Sequence, residues 1–390
     1  MKSIGIITIQ NSQNNYGGAL QCFALYQFLH QQGYSVEVID LHRPNNADYI
    51  DSIRFRRMRS HIGIMGLVKG WIKELFGIKK LHNPNFSPNW NLKAGERFME
   101  FNSKIKMSSP YSYIPDLYKN PPQYDIYITG SDQLWNPDQP YCLEPYFLTF
   151  VKNKKALKIS YGTSIGILDL HECEKKLFRK WLFSYDSISV REKQACTLLE
   201  TITQRNIYQV PDPTFLLDPE EWLKMSIAPK GNQNYILIFY LGQNKDIIQT
   251  GIRIAKEMGF KLKIIEQNYQ YPIDSTIEVI ADAGPLEFIG LIKHAKLILT
   301  NSFHCTVFSL ITGVQNFYTY IAPDNNRGSR IVDLLETYHL SDHIISSMND
   351  IPPVSQLSNI KINSSLTYDT MKREQKKGQE YLISSISRNK

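Results

Sequence analysis

Five short stretches of this 390-residue chain gather residue types suited to binding a small anion or a polyhydroxyl compound. Thr300-Asn301-Ser302-Phe303-His304-Cys305-Thr306 lies between a strand-like run and a helix-like run. That places His304 at a helix N-terminus, facing a cleft, where an imidazole can be tuned for proton transfer. A lone histidine is as readily structural. Ser189-Val190-Arg191-Glu192 puts a guanidinium at a strand end, the group that grips a carboxylate or phosphate with two parallel hydrogen bonds. The competing reading pairs Arg191 with Glu192 or a helix end. Gly130-Ser131-Asp132-Gln133-Leu134-Trp135-Asn136 sets a carboxylate, an amide and an indole just past another strand. The acid accepts sugar hydroxyl hydrogens, and the ring covers an apolar sugar face. Alternatively Asp132 caps the next turn and Trp135 lies in the core.

Asn14-Asn15-Tyr16-Gly17-Gly18 precedes a helix, and its backbone N–H groups are placed to hold phosphate. The plainer reading is that the glycines permit a tight turn. Asn325-Asn326-Arg327-Gly328-Ser329-Arg330 offers two more cations beside a helix start, again suited to phosphate.

The elements that position these stretches are those of an α/β chain. Ile4–Ile9 reads as a buried parallel strand, followed by a polar loop. Ala19, Leu20, Phe23, Ala24, Phe28 and Leu29 then recur at helical spacing, and Val36–Asp40 closes a β-loop-α-β unit. The opening is Rossmann-like, but its loop lacks the GxGxxG fingerprint of a dinucleotide site. Residues 44 to about 100 mix basic, aromatic and Asn/Pro-rich segments around a candidate amphipathic helix, Ile64–Leu75. They read as an insertion, either a helical hairpin or a membrane-facing lobe. α/β order resumes at Tyr124–Gly130. It continues through strands at Lys158–Gly162 and Asp186–Arg191, and crosses to a second α/β unit after Val210-Pro211-Asp212-Pro213-Thr214. The expected organisation is an N-terminal Rossmann-like domain over 1–215, carrying the insertion at about 44–100. A second such domain covers 216–370, and a C-terminal helix over 371–390 packs back on the first. Sites are expected in the central cleft, at the carboxyl ends of the strands.

Composition bounds the rest. Hydrophobic residues make up 42% and charged residues 21% of the chain, as in ordinary globular proteins. The net charge of +7 is modest and partly gathered at Arg54–Arg59 and Lys372–Lys377. It suits phosphorylated substrates or an anionic membrane surface, and nothing in the sequence reads as a nucleic-acid module. Cys22, Cys142, Cys173, Cys196 and Cys305 are scattered, with no CxxC pair, which indicates neither a disulfide framework nor a zinc site. Neither a signal-peptide pattern nor an apolar run of roughly 18–20 residues appears. The expected location is the cytoplasm, and any contact with the inner face of a membrane is expected through the basic, amphipathic residues 54–80.

In this order, NNYGGALQCFALYQFL, YDIYITGSDQLWNP, ISYGTSIG at 159–166, SISVREKQACTLL, VPDPTFLLD and ILTNSFHCTVFSLITG resemble the polysaccharide pyruvyl transferase family, over residues 4 to about 335. The resemblance implies a GT-B-like α/β fold of two Rossmann-like domains. It implies phosphoenolpyruvate as co-substrate, no cofactor or metal, and a saccharide acceptor, often a lipid-linked repeat unit of an exopolysaccharide or capsule. Arg191 matches the family's donor-binding arginine and His304 the histidine proposed as general acid. Some members carry Ser-Arg-Leu-His where this chain has Asn301-Ser302-Phe303-His304, so a second guanidinium must come from elsewhere, and Arg327 and Arg330 are the candidates. Ser302, Asn15 and Gly17 complete the expected donor site. Asp132 orients or deprotonates the acceptor, with Trp135, Gln133 and Tyr16 beside it.

Two rivals remain at the level of sequence. A nucleotide-sugar glycosyltransferase of the same fold needs a strand-end carboxylate for ribose, for which Glu287 is a rough candidate. A non-catalytic saccharide-binding protein keeps the fold without the chemistry.

Overall fold

The computed structural model describes residues 2–9, 15–42, 91–139, 144–231, 234–242, 244–265, 274–322, 328–357 and 362–388. The candidate helix Ile64–Leu75, the basic residues 54–59, Cys142 and Arg327 lie outside them.

Two parallel sheets organise the chain. In the first, β1 (Ser3–Ile7), β2 (Ser35–Val38), β3 (Ile126–Thr129) and β4 (Leu157–Ser160) lie in the order β2-β1-β3-β4. Parallel bridges from Met107 and Tyr111 extend it beyond β2, and the pair β5 (Ser189–Val190) and β6 (Tyr208–Gln209) extends it beyond β4. The second sheet comprises β7 (Tyr235–Phe239), β8 (Lys261–Ile265), β9 (Ile277–Ile280), β10 (Leu297–Thr300), β11 (Phe317–Tyr320) and β12 (Ile344–Ile345). Its order is β12-β11-β10-β7-β8-β9. Counted within each half, both sheets follow the doubly wound 3-2-1-4-5-6 arrangement, with direction reversing between β1 and β3 and between β7 and β10. Crevices open at those reversals, just beyond the carboxyl ends of the strands.

The central strands read as unbroken apolar runs, IYIT in β3 and LILT in β10, and are buried on both faces. Helix α1 (Tyr16–Gln31) is buried on nearly every side, unlike a surface helix with one apolar stripe. The cause is its place between the two halves. Phe23 packs on Trp222, with ring centroids 5.8 Å apart, and Tyr16 stacks on Phe288 of the second half at 4.5 Å. A single apolar cluster runs from Ile4 and Leu20 through Trp222 to Phe288 and Phe308. Each fully buried side chain of this kind contributes about 1.5–3 kcal/mol. Trp222 also donates from Nε1 to Thr214 O at 2.9 Å, so its replacement by alanine would open both the seam and the segment after β6.

Two further helices fasten the halves. Helix α2 (Leu92–Asn102), the described end of the expected insertion, reaches the second half through Arg97. Arg97 pairs with Glu287 at 3.0 Å and Asp282 at 3.1 Å. The C-terminal helix (Ser364–Ile386) returns to the first sheet, where Tyr381 Oη donates to Ser160 O at 2.9 Å and Gln379 Nε2 to Leu216 O. It begins earlier than the sequence suggested, capped by the Asn363 side chain accepting from Leu366 N. Among the described residues no helix is long and apolar enough to cross a membrane.

Candidate functional site

Four loops leaving strand ends meet at the seam. Asp132 follows β3, Arg191 follows β5, Asp212 follows β6, and His304 lies in the first turn of the helix Phe303–Ile311 after β10. Asp212 is the hub. Its fully buried carboxylate accepts from Arg191 Nη1 at 2.5 Å and from Ser131 Oγ at 3.3 Å through Oδ2. Through Oδ1 it accepts from Thr214 N at 3.0 Å and Thr214 Oγ1 at 2.8 Å, capping the 3-10 turn Pro213–Leu216. His304 Nε2 stands 3.5 Å from the same Oδ2. Burial by itself would raise the Asp212 carboxyl. The charge of His304, 3.5 Å away, then that of Arg191 and the hydrogen bond from Thr214 N, outweigh burial and hold it well below the usual carboxylate range. A fixed anion of this kind beside the ring keeps the imidazole oriented.

Arg191 is 6% exposed, and among the described residues its Nε and Nη2 have no hydrogen-bond partner. A buried guanidinium edge left unpaired in this way calls for an acceptor, and a carboxylate or phosphate matches its fork. Phe303 lies against the cation, its ring centroid 4.6 Å from Arg191 Cζ and 5.4 Å from Arg330 Cζ. Two guanidiniums therefore converge beside His304. Asp132 Oδ1 lies 4.0 Å from Arg191 Nη2. Burial would raise this carboxyl too, yet His304, Arg191 and Arg330 together hold it below its ordinary value. It is therefore an ionised acceptor of hydrogen bonds and a weak base. Its φ of +75° is the left-handed region, uncommon for a non-glycine residue and tolerated best by Asp and Asn. Gly17, in the first turn of α1, faces His304 so closely that a Cβ there would lie 2.0 Å from Nδ1. Only a glycine lets the two helix starts approach like this.

The structure thus brings His304, Arg191, Asp132, Arg330 and Gly17 together, and other expected residues depart from their assigned roles. Trp135 is wholly buried, stacked on Phe147 at 5.3 Å with Nε1 donating to Tyr146 O, so it is a core residue and cannot cover a sugar. Tyr16 is spent on the seam, its hydroxyl donating to Ala283 O at 3.0 Å, and burial with the nearby Glu287 raises its phenol further. Gln133 accepts from Asn136 Nδ2 at 2.6 Å and abuts Gly166. Asn15 and Ser302 serve as helix caps, accepting from Gly18 N at 2.8 Å and Cys305 N at 3.4 Å. Glu287, the rough ribose-gripping candidate, is committed to Arg97 and to Gly284 N.

Asp212 was not among the expected site residues. Its signal was present, an aspartate between two prolines immediately after a short strand, but its partners come from three separate strand ends and both halves.

The family model for polysaccharide pyruvyl transferase matches residues 15–322. No curated protein matches the chain. Among solved structures, S. aureus MnaA with UDP is similar at 12% identity and a TM-score of 0.51, covering 99% of this chain and 96% of that one. UDP-GlcNAc 2-epimerase from Neisseria meningitidis bound to UDP-GlcNAc has 11% identity and a TM-score of 0.49, with 99% of each chain covered. The enzyme from Methanocaldococcus jannaschii in complex with UDP-GlcNAc and UDP has 14% identity and a TM-score of 0.49, with 98% of each chain covered. The first of these likenesses, with the two doubly wound sheets, shows a GT-B fold.

Proposed function

Because this chain belongs to the polysaccharide pyruvyl transferase family, we propose that it moves the enolpyruvyl carbons of phosphoenolpyruvate onto two hydroxyls of a saccharide, forming a pyruvate ketal. The observation that carries the reading is the open Nε/Nη2 edge of buried Arg191 beside the His304–Asp212 pair. Phosphoenolpyruvate has two anionic groups and an enol carbon that must be protonated. The site offers two guanidiniums and one histidine held by a carboxylate.

The steps follow from these groups. Arg191, with Arg330, neutralises the donor's carboxylate and phosphate. The imidazolium of His304 gives its proton to the methylene carbon, which becomes a methyl group, and positive charge develops at C2. The first acceptor hydroxyl, oriented by Asp132, attacks C2. The C2–O bond to phosphate breaks, and the phosphate leaves with that hydroxyl's proton. The second hydroxyl then attacks C2 and returns its proton to His304. Asp212 stays ionised throughout, because both of its oxygens are occupied and its carboxyl is held low.

The test is acceptor-dependent release of phosphate from phosphoenolpyruvate, with the ketal methyl group followed by NMR. Wild type should form the ketal, while His304→Ala should lose turnover by about 100-fold or more, as expected for removal of a general acid, with donor binding largely spared. Full turnover in that variant would remove His304 from the mechanism.

A further inference from the structure

Ser164 and Glu192 take part in none of these steps, yet they join the two sides of the site. The Ser164 backbone is bonded twice to the turn that carries Asp132: its N–H donates to Asp132 O at 2.9 Å, and its carbonyl accepts from Trp135 N at 3.2 Å. Thr163, one residue earlier, bridges both Asp132 and Val190. The Ser164 hydroxyl donates to Glu192 Oε1, and Glu192 directly follows Arg191. Both residues are buried, Ser164 completely and Glu192 to within 2%. Among the described residues Glu192 Oε2 has no hydrogen-bond partner, so the bond from the Ser164 hydroxyl to Oε1 anchors this carboxyl.

We propose that the Ser164–Glu192 pair is a positioning device that holds the left-handed Asp132 turn at its working distance from Arg191. The inference rests on the pyruvyl-transfer reading, in which Asp132 orients the acceptor and Arg191 the donor. The turn is strained at Asp132 and needs an external restraint to persist. A neighbour tied by both backbone and side chain supplies one. Without the tie the turn relaxes away from Arg191, and the two substrates lose alignment while each still binds. Misplacement of this kind lowers turnover rather than donor affinity.

The experiment compares wild type with Ser164→Ala, Glu192→Leu, Glu192→Gln and the Ser164→Ala/Glu192→Leu double variant, reading kcat, phosphoenolpyruvate affinity and the crystal structures. The tie predicts that each of the two breaking variants loses roughly tenfold or more in kcat. The double variant should lose no more than either single one, because both break the same contact. Glu192→Gln, which can still accept from Ser164, should keep most turnover, and phosphoenolpyruvate affinity should hold within a few-fold. The Asp132–Arg191 separation should widen beyond 4.0 Å in the breaking variants. Losses that multiply in the double variant, donor affinity falling in step with kcat, or an inactive Glu192→Gln would each overturn the proposal. If wild type makes no ketal, the reaction reading fails, and the crystallographic distance alone decides the tie. An unchanged separation in Ser164→Ala rejects it.

Discussion

Replacing Gly17 by alanine separates the chemistry of this site from its stability. A methyl group there would lie 2.0 Å from His304 Nδ1 and 2.5 Å from Cγ, where ordinary contact begins at 3.4 Å. The imidazole must therefore retreat by more than an ångström from its place beside Asp212. Crowding of this kind costs about 1–3 kcal/mol. Exchanging a helical glycine for alanine returns up to about 1 kcal/mol. The net loss is about 0–3 kcal/mol, which moves the melting point by several degrees at most. A catalytic group displaced by about 1 Å, however, costs on the order of 100-fold in rate. The assay is steady-state phosphate release alongside a thermal melt and a phosphoenolpyruvate titration. Turnover should collapse in a folded protein that still binds the donor through Arg191. A Gly17→Ala protein with wild-type turnover would refute the contact as a determinant of His304's position, and loss of donor binding would show that the histidine is not the only group disturbed.

Two other outcomes follow from residues outside the reaction. Trp135→Ala removes a fully buried indole stacked on Phe147, so denaturant melts should show a loss of about 3–5 kcal/mol, while turnover per folded molecule and acceptor KM stay near wild type. His343 is buried, with its ring against Phe317 and Tyr318; burial lowers its imidazole below 6.5, only partly countered by the hydrogen bond to Phe317 O and the charge of Asp342. Below pH 6.5 the unfolded chain takes up more protons than the folded one, so this contribution is complete above about 6.5 and fades as pH falls. Melting points measured between about pH 5 and pH 8 should drop on acidification, and His343→Gln should flatten the slope; an unchanged slope would remove His343 as its cause.

The legible part of this molecule was the part written locally. Short apolar runs ending in polar loops marked the strand ends, and the strand ends carry Asp132, Arg191 and His304 because α/β crevices open there. Side-chain direction was not legible. Trp135 and Asp132 are three residues apart in one loop, yet one turns into the core and the other towards Arg191, a choice made by the left-handed backbone at Asp132 and by Phe147. Tyr16 was expected beside the acceptor, because nothing local shows that a second sheet, with Phe288, covers it. Asp212 shows the same limit: an aspartate after a strand is common, and only the crossing of both halves gives it an arginine and a histidine. The resemblance left a second guanidinium to be supplied from elsewhere than Ser302, and the structure places Arg330 over the same Phe303 ring as Arg191, a convergence that no spacing along the chain could show.

The central claim is that the open edge of Arg191 is the seat of phosphoenolpyruvate, and a thermal-shift titration tests it most directly. Phosphoenolpyruvate, UDP and GDP are each compared on wild type and on Arg191→Lys, which keeps a cation near Asp212 but lacks the Nε/Nη2 edge. A ligand at 100 times its Kd stabilises the folded state by about 2.7 kcal/mol. The account predicts a clear rise in melting point with phosphoenolpyruvate on wild type, absent or much reduced in the variant relative to its own ligand-free melt, and none with either nucleotide. Stabilisation by UDP or GDP in place of phosphoenolpyruvate, or an equal response from Arg191→Lys, would contradict it.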